Sequence, residues 1–195
     1  MKTKPSCDWP SNDPMMIAYH DTEWGVALHD DTKIFEYLVL DAFQAGLSWK
    51  TILHKREHFR NAFHGFDYRK IARYGDKDFN RLMNDAGIIR NKAKINGAIN
   101  NARCFLEVQR EFGTFDHYIW QFTGGKTIHH SLSILSEIPV SLAESDEMSR
   151  DLKSRGFKFV GTTICYAFMQ AAGMVNDHLV KCFRYGELKK QDCHG

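Results

Sequence analysis

FVGTTICYAFMQAAGMV, residues 159–175, is almost uncharged and apolar on every side. In a soluble chain that pattern marks a central helix enclosed by others. Working outward, the same period of 3.6 recurs at Ile34, Phe35, Leu38, Val39 and Ala42, and again at Ile95, Ala98, Ile99, Ala102, Phe105 and Leu106. Sustained period-two alternation is absent. Asp13-Pro14, Asp30 or Asp31, Ser48 and Asp67 read as helix starts, and Gly46, Gly87 and Gly113 suit helix ends or turns. An all-α fold follows. The Gly- and Ser-bearing stretch 123–145 reads as the main loop, and no Pro-rich linker or repeat divides the 195 residues. The expectation is one unit over 1–195, made of two closely packed helical lobes.

With 43% hydrophobic and 26% charged residues the chain has the balance of a folded globular protein rather than a disordered one. No stretch approaches the roughly 20 apolar residues of a membrane span, and MKTKPSCDWP lacks the apolar core of a signal peptide. A cytoplasmic location is expected. A net charge of +2 is too mild to identify nucleic acid as a partner, although it is compatible with a local basic face. The five cysteines are an odd, irregularly spaced set, which points to reduced thiols or metal ligands rather than a disulfide framework.

Two local patterns carry chemistry. Cys7 and His20 lie near the N-terminus; His178 and Cys182, in HLVKC, lie near the C-terminus, where a four-residue step on a helix would put both on one face. Two thiolates and two imidazoles make a closed tetrahedral zinc shell, structural rather than catalytic. Spacing alone does not separate that set from incidental residues; Cys193 and His194, adjacent near the chain end, read as a frayed tail. The second pattern is LMNDAGIIRNKAKI, residues 82–95, which sets a tight turn at Gly87 between two helices, with Arg90, Lys92 and Lys94 opening the second. A helix-hairpin-helix of this kind lets backbone N–H groups and a helix N-terminus meet a phosphate. A plain αα-hairpin has the same outline.

AYHDTEWG from Ala18, QAGLSWKTIL from Gln44, KRE from Lys55, DAGIIRNKAKI from Asp85, RGFKFVGTTICYAFMQA from Arg155 and VNDH from Val175 together resemble the type I DNA-3-methyladenine glycosylase family. The matches run in order through nearly the whole chain. The resemblance implies an all-α member of the helix-hairpin-helix glycosylase superfamily. Such an enzyme flips a nucleotide out of double-stranded alkylated DNA, hydrolyses the N-glycosidic bond of 3-methyladenine and leaves an abasic site. It implies a structural zinc on Cys7, His20, His178 and Cys182, one per chain, and no organic cofactor. A monomer is expected.

For the pocket, the resemblance implies Trp49 as stacking platform, Tyr19 and Trp9 as walls, and Asp41 as the acid that reads the base and supplies catalytic charge. Electron-rich ring faces and one carboxylate suit a cationic methylated base. Two positions depart from the family pattern: Asp41 stands where Glu is commoner, and Met16 occupies a pocket position where some relatives carry an aromatic residue. Trp24 reads as packing behind the pocket and Trp120 as core. Gln44, Gly46 and Leu47 read as a wedge into the gap left by the flipped nucleotide, or as an ordinary helix junction. Gly87, Ile88, Arg90 and Lys92 are the expected phosphate grip. No Asp lies between Ile88 and Gly113, and Asp116 is not assigned catalysis. Two rival readings are a bifunctional glycosylase/lyase using Lys92 and a non-catalytic damage sensor.

Overall fold

Helices begin where a short polar side chain can close the first turn. The computed structural model describes residues 5–192; Cys193 and His194 lie outside them. In chain order the elements are α1 (Pro14–Thr22), α2 (Asp31–Gln44), α3 (Trp49–Ala62), α4 (Tyr68–Ile71), α5 (Asp76–Asn84), α6 (Lys92–Phe112), α7 (Phe115–Trp120), β1 (Ile128–His129), α8 (Ala143–Ser154), α9 (Thr162–Ala171), β2 (Val175–Asn176) and α10 (Phe183–Asp192). Asp13 accepts from Met15 N and Met16 N, Ser48 from Thr51 N, and Asp67 from Arg69 N and Lys70 N. Asp30 and Asp31 divide the labour. Asp30 caps α2 through Lys33 N, while Asp31 reaches across to Phe115 N and Asp116 N and so docks the start of α7. Asn91 and Thr114 cap α6 and α7 in the same way.

The fold is mostly helical. One detail departs from a purely helical chain: β1 and β2 form a two-residue parallel pair, Ile128 opposite Val175 and His129 opposite Asn176. This pair anchors the loop expected over 123–145 to the chain beyond α9, with Ile128 N on Met174 O and His130 N on Asn176 O.

α2 runs through the core. Ile34, Phe35, Leu38, Val39, Leu40 and Phe43 are all buried, and Phe35 meets Phe105 of α6 edge-on at 5.2 Å. The apolar run 159–175 is helical over only ten residues, because Phe159 takes a left-handed φ before α9 and Gly173 one after it. Cys165, Phe168 and Met169 face the core, whereas Ala167 and Gln170, one turn apart, face a cavity. A helix apolar on all sides therefore serves the core with one face and the cavity with the other.

Gly173 fixes how the segment after α1 lies on α9. Its φ is +69°, and a Cβ there would sit 2.2 Å from the carbonyl carbon of Val26. No side chain can relax that clash, because both partners are backbone. Around it Gly25 N bonds Gln170 O and Leu28 N bonds Ala172 O. Gly173→Ala is expected to cost about 4 kcal/mol or more, the extreme of single substitutions. A urea-denaturation midpoint equal to that of the unaltered chain would contradict this.

Candidate active site

Four residues from the two ends of the chain converge behind α1. Cys7, His20, His178 and Cys182 are buried, and their ligand atoms all lie within 4.8 Å of one another. His178 Nδ1 is 3.1 Å from His20 Nε2, 3.6 Å from Cys182 Sγ and 3.8 Å from Cys7 Sγ; Cys182 Sγ is 3.6 Å from His20 Nε2. A tetrahedral zinc ion with ordinary metal–sulfur and metal–nitrogen bonds has ligand–ligand edges of about 3.3–3.8 Å. The cluster has the dimensions to hold such an ion. The outer nitrogens are engaged as a metal site requires: His20 Nδ1 donates to Asp21 at 2.6 Å and His178 Nε2 to Trp24 O at 2.9 Å. Leu179 N donates to Cys7 Sγ. The Cys7–Cys182 hydrogen bond, backed by the imidazoles, draws Cys182 well below the ordinary thiol range and pushes Cys7 above it. The helical placement of HLVKC does not hold. His178 and Cys182 lie on the turn between β2 and α10, closed by Cys182 N on Leu179 O, so a turn rather than a helix face sets their spacing.

This cluster shares its walls with a cavity of about 320 Å³. Trp9, two residues after Cys7, packs edge-on to His20 at 5.4 Å and to Trp24 at 5.0 Å; Trp24 in turn meets His178 at 4.6 Å. Tyr19 lies 5.1 Å from Trp49 and 6.3 Å from Trp9. Trp9, Tyr19, Trp24 and Trp49 line the cavity together with Asp41 and Gln44 of α2, Ala167 and Gln170 of α9, and Leu135 and Ile138 of the long loop. Trp24 is therefore a wall and not only support behind one. Met16 is not brought to the cavity; it is buried in the main core. Trp120 is also core, its indole bonded to Leu28 O, and Asp116 is paired with His29 away from the cavity.

Asp41 is the unusual group. It is 2% exposed and its Oδ2 has no hydrogen-bond partner. Burial pushes its carboxyl well above the ordinary range, against the pull of Arg56. Arg56 spends two of its three nitrogens elsewhere: Nε donates to Glu36 at 2.7 Å and Nη1 to both oxygens of Glu23, to which Tyr37 also donates, while Nη2 is buried without a partner. The pocket acid thus has its protonated form favoured by burial, beside an ion-pair network made by Arg56, Glu23 and Glu36. The indole nitrogens of Trp9 and Trp49 are likewise buried without partners.

A second surface adjoins the cavity. Gln44 ends α2, Gly46 turns with φ +75°, and Leu47 is 40% exposed. Two lysines hold this turn against the 85–91 hairpin. Lys94 is buried, with its ammonium on Phe43 O at 2.8 Å and Ala45 O at 2.6 Å; Lys55 bonds Ala86 O and Gly87 O. Desolvation lowers the Lys94 pKa. Lys94 opens α6 with Lys92, but its charge turns inward to the free carbonyls at the end of α2. Gly87 N bonds Asp85 Oδ1 in a tight turn, and a Cβ on Gly87 would meet His58 at 2.9 Å. Ile88 is buried beneath the turn; Arg90 and Lys92 are exposed. Lys92 does not line the cavity.

Sequence reasoning missed Ala167, Gln170, Leu135 and Ile138 as lining residues, together with the Arg56 network. Gln170 left a trace as the one polar side chain with a two-donor amide inside the 159–175 run. The others arrive from distant segments and leave none.

The site is an aromatic-walled cavity with one buried, unpartnered carboxyl oxygen in a mostly helical protein. The methyladenine glycosylase family matches residues 9–185, and the chain belongs to that family. It is 51% identical over 179 residues to DNA-3-methyladenine glycosylase 1 of Escherichia coli K12, covering 92% of this chain and 96% of that one. It is 42% identical to DNA-3-methyladenine glycosylase of Haemophilus influenzae, covering 90% and 95%. Among solved structures, 3-methyladenine DNA glycosylase I from Staphylococcus aureus, described for its recognition of 3-methyladenine, superposes with a TM-score of 0.89 at 33% identity, covering 92% and 96%.

The burial of Asp41 has a signed consequence for stability. Below the ordinary aspartate pKa of about 4 both folded and unfolded chains hold the proton. Above it only the unfolded chain ionises, so Asp41 subtracts stability as pH rises from there toward its raised folded value. Asp41→Asn is therefore expected to melt higher at pH 7.5, by about 2–4 °C for each ~1 kcal/mol released. The gain should shrink toward pH 4. An equal or lower melting temperature at pH 7.5 would contradict the upward shift of Asp41.

Proposed function

We propose that this protein is a monofunctional DNA-3-methyladenine glycosylase of base excision repair. It hydrolyses the N-glycosidic bond of 3-methyladenine in double-stranded alkylated DNA after flipping the nucleotide, and leaves an abasic site. The observation that carries this reading is the aromatic cavity with the unpartnered carboxyl of Asp41 in its wall, in a chain matched to the family almost end to end. Methylation at N3 gives the base a positive charge. That charge favours the rings of Trp9, Tyr19 and Trp49 over an uncharged adenine, and it makes ionised Asp41 favourable where an empty cavity does not. Met16 supports these walls from the core.

The chemistry asks little of acid catalysis, since departure of a cationic base generates a neutral leaving group. Water attacks the sugar carbon as positive charge develops there, and the carboxylate of Asp41 stabilises that charge. On the adjoining surface, Leu47 on the Gln44–Gly46 turn is the wedge that occupies the vacated stack. The 85–91 turn with the N-terminus of α6 is a helix-hairpin-helix phosphate grip, through backbone at Gly87 and Ile88 and side chains at Arg90 and Lys92. We read the architecture as two closely packed lobes in a monomer working in the cytoplasm.

Zinc suits the four-ligand cluster better than other common ions, because two thiolates and two imidazoles match its softness and tetrahedral preference. Cys7, His20, His178 and Cys182 would fill the shell, leaving no position for water, so the ion supplies structure and not catalysis. No organic cofactor enters the scheme.

Asp41 in place of the commoner Glu supports one rival, a sensor that binds lesions without turnover. Incubation with methylated genomic DNA is expected to release free 3-methyladenine, and Asp41→Asn to reduce the release at least about 100-fold; lesion binding without base release would establish the sensor. The lyase rival is met by borohydride trapping on abasic DNA, where no Lys92-dependent adduct is expected and a robust one would overturn monofunctionality. Elemental analysis should find about one zinc per chain. Cys182→Ala should lose that zinc and several degrees of melting temperature, and an unchanged melt would refute the clamp.

A further inference from the structure

Behind the cavity Asp177 collects three donors on one carboxylate. It is 1% exposed; His130 Nδ1 lies 2.6 Å from Oδ1, the Tyr166 hydroxyl donates to Oδ2, and Gln170 Nε2 donates to Oδ2 at 2.8 Å. A carboxylate only accepts, so the amide of Gln170 must present its NH2 group to Asp177. Its carbonyl oxygen then faces the other way. Gln170 lines the cavity, and that oxygen has no hydrogen-bond partner among the described residues. Its main chain cannot swing to change this, because Gln170 O accepts from Gly25 N at 2.9 Å beside the cavity wall Trp24.

We propose that Gln170 is a specificity-determining residue. Its carbonyl oxygen, locked by Asp177, reads the exocyclic amino group of the base, and the site therefore selects purines with an amino rather than an oxo group at position 6. This rests on the glycosylase reading and deepens it. An amino group donates to the fixed oxygen; an oxo group would set two acceptors against each other with no rotation to relieve them. The indole N–H groups of Trp9 and Trp49 are donors and cannot make the same choice. Asp177 is a positioning residue in this scheme, since it removes the flip that would let Gln170 accept either base.

The test is a fluorescence titration of the full chain, which reads the cavity tryptophans, with 3-methyladenine and with its 6-oxo counterpart 3-methylhypoxanthine. The unaltered protein is expected to prefer the amino base by about tenfold or more. Gln170→Met, close in shape but without the oxygen, should bring the ratio near one mainly by weakening the amino base. Asp177→Asn should lower the ratio too, because an asparagine accepts either face of the amide. Equal binding of the two bases by the unaltered protein overturns the proposal without any variant. So does a Gln170→Met protein that weakens both bases alike, the signature of a packing role. No binding of 3-methyladenine at all would instead strike the glycosylase reading beneath it.

Discussion

The convergence of Cys7, His20, His178 and Cys182 is the constraint on which the binding site depends. Each is held by its own local structure, and together they bring residues 171 positions apart in the chain to hydrogen-bonding distance. Every cavity wall on that side is referred to this point. Trp9 follows Cys7 by two residues and packs edge-on to His20, Tyr19 precedes His20, and Trp24 receives the outer N–H of His178 on its carbonyl. A cage of large rings keeps its shape only if the rings cannot collapse onto each other. Tying three of them to a buried cluster does this without filling the space they surround.

The opposite side of the cavity is built on a different balance. Asp41 and Gln44 come from α2, the most deeply buried helix, so the acid sits at a position that would ordinarily carry a hydrophobic residue. An isolated carboxylate there is costly, and burial without a partner on Oδ2 favours its protonated form. Arg56, whose charge Asp41 feels, is paired instead with Glu23 and Glu36, Tyr37 donates to Glu23, and Arg60 and Lys33 in turn compensate Glu36. Without that network the strongest cation near the cavity would belong to the protein, and a cationic ligand would meet repulsion. The ion pairs of α2 and α3 are thus a condition for the pocket's sign as well as for packing the two helices.

Much of this was legible locally. Asp13, Asp30, Ser48 and Asp67 cap helices within three residues of themselves, and the stripes of α2 and α6 need nothing beyond periodicity. What the sequence hid was direction. Lys94 sits at the start of a basic-looking helix yet points inward, because the carbonyls it satisfies lie about fifty residues earlier. HLVKC has a spacing that suits a helix, but β2 and the Leu179 turn claim that stretch first. Asp31 looks like a helix cap and instead docks α7. The aromatic residues and Asp41 were found because the family resemblance carried them, whereas Gln170, equally part of the lining, depends on Asp177 and on a loop that arrives from residues 128–138. Roles set by partners near in sequence could be read; roles set by distant partners could not.

The use of Lys94 and Lys55 bears on how the surface beside the cavity is built. Both ammonium groups are spent on backbone carbonyls, one set at the end of α2 and the other in the 85–91 turn. A lysine left on the surface would add one screened charge toward a phosphate. Turned inward, it fixes two loops relative to each other, so that Leu47, the backbone of Gly87 and the first turn of α6 are presented as one rigid face. For the strand-holding and wedging roles proposed for this face, relative position matters more than total charge. On the reading proposed above, a chain with a net charge of only +2 can present such a face to DNA. The interaction is placed in backbone donors and fixed geometry, and the positive charge that remains outside, at Arg90 and Lys92, lies where the hairpin directs it.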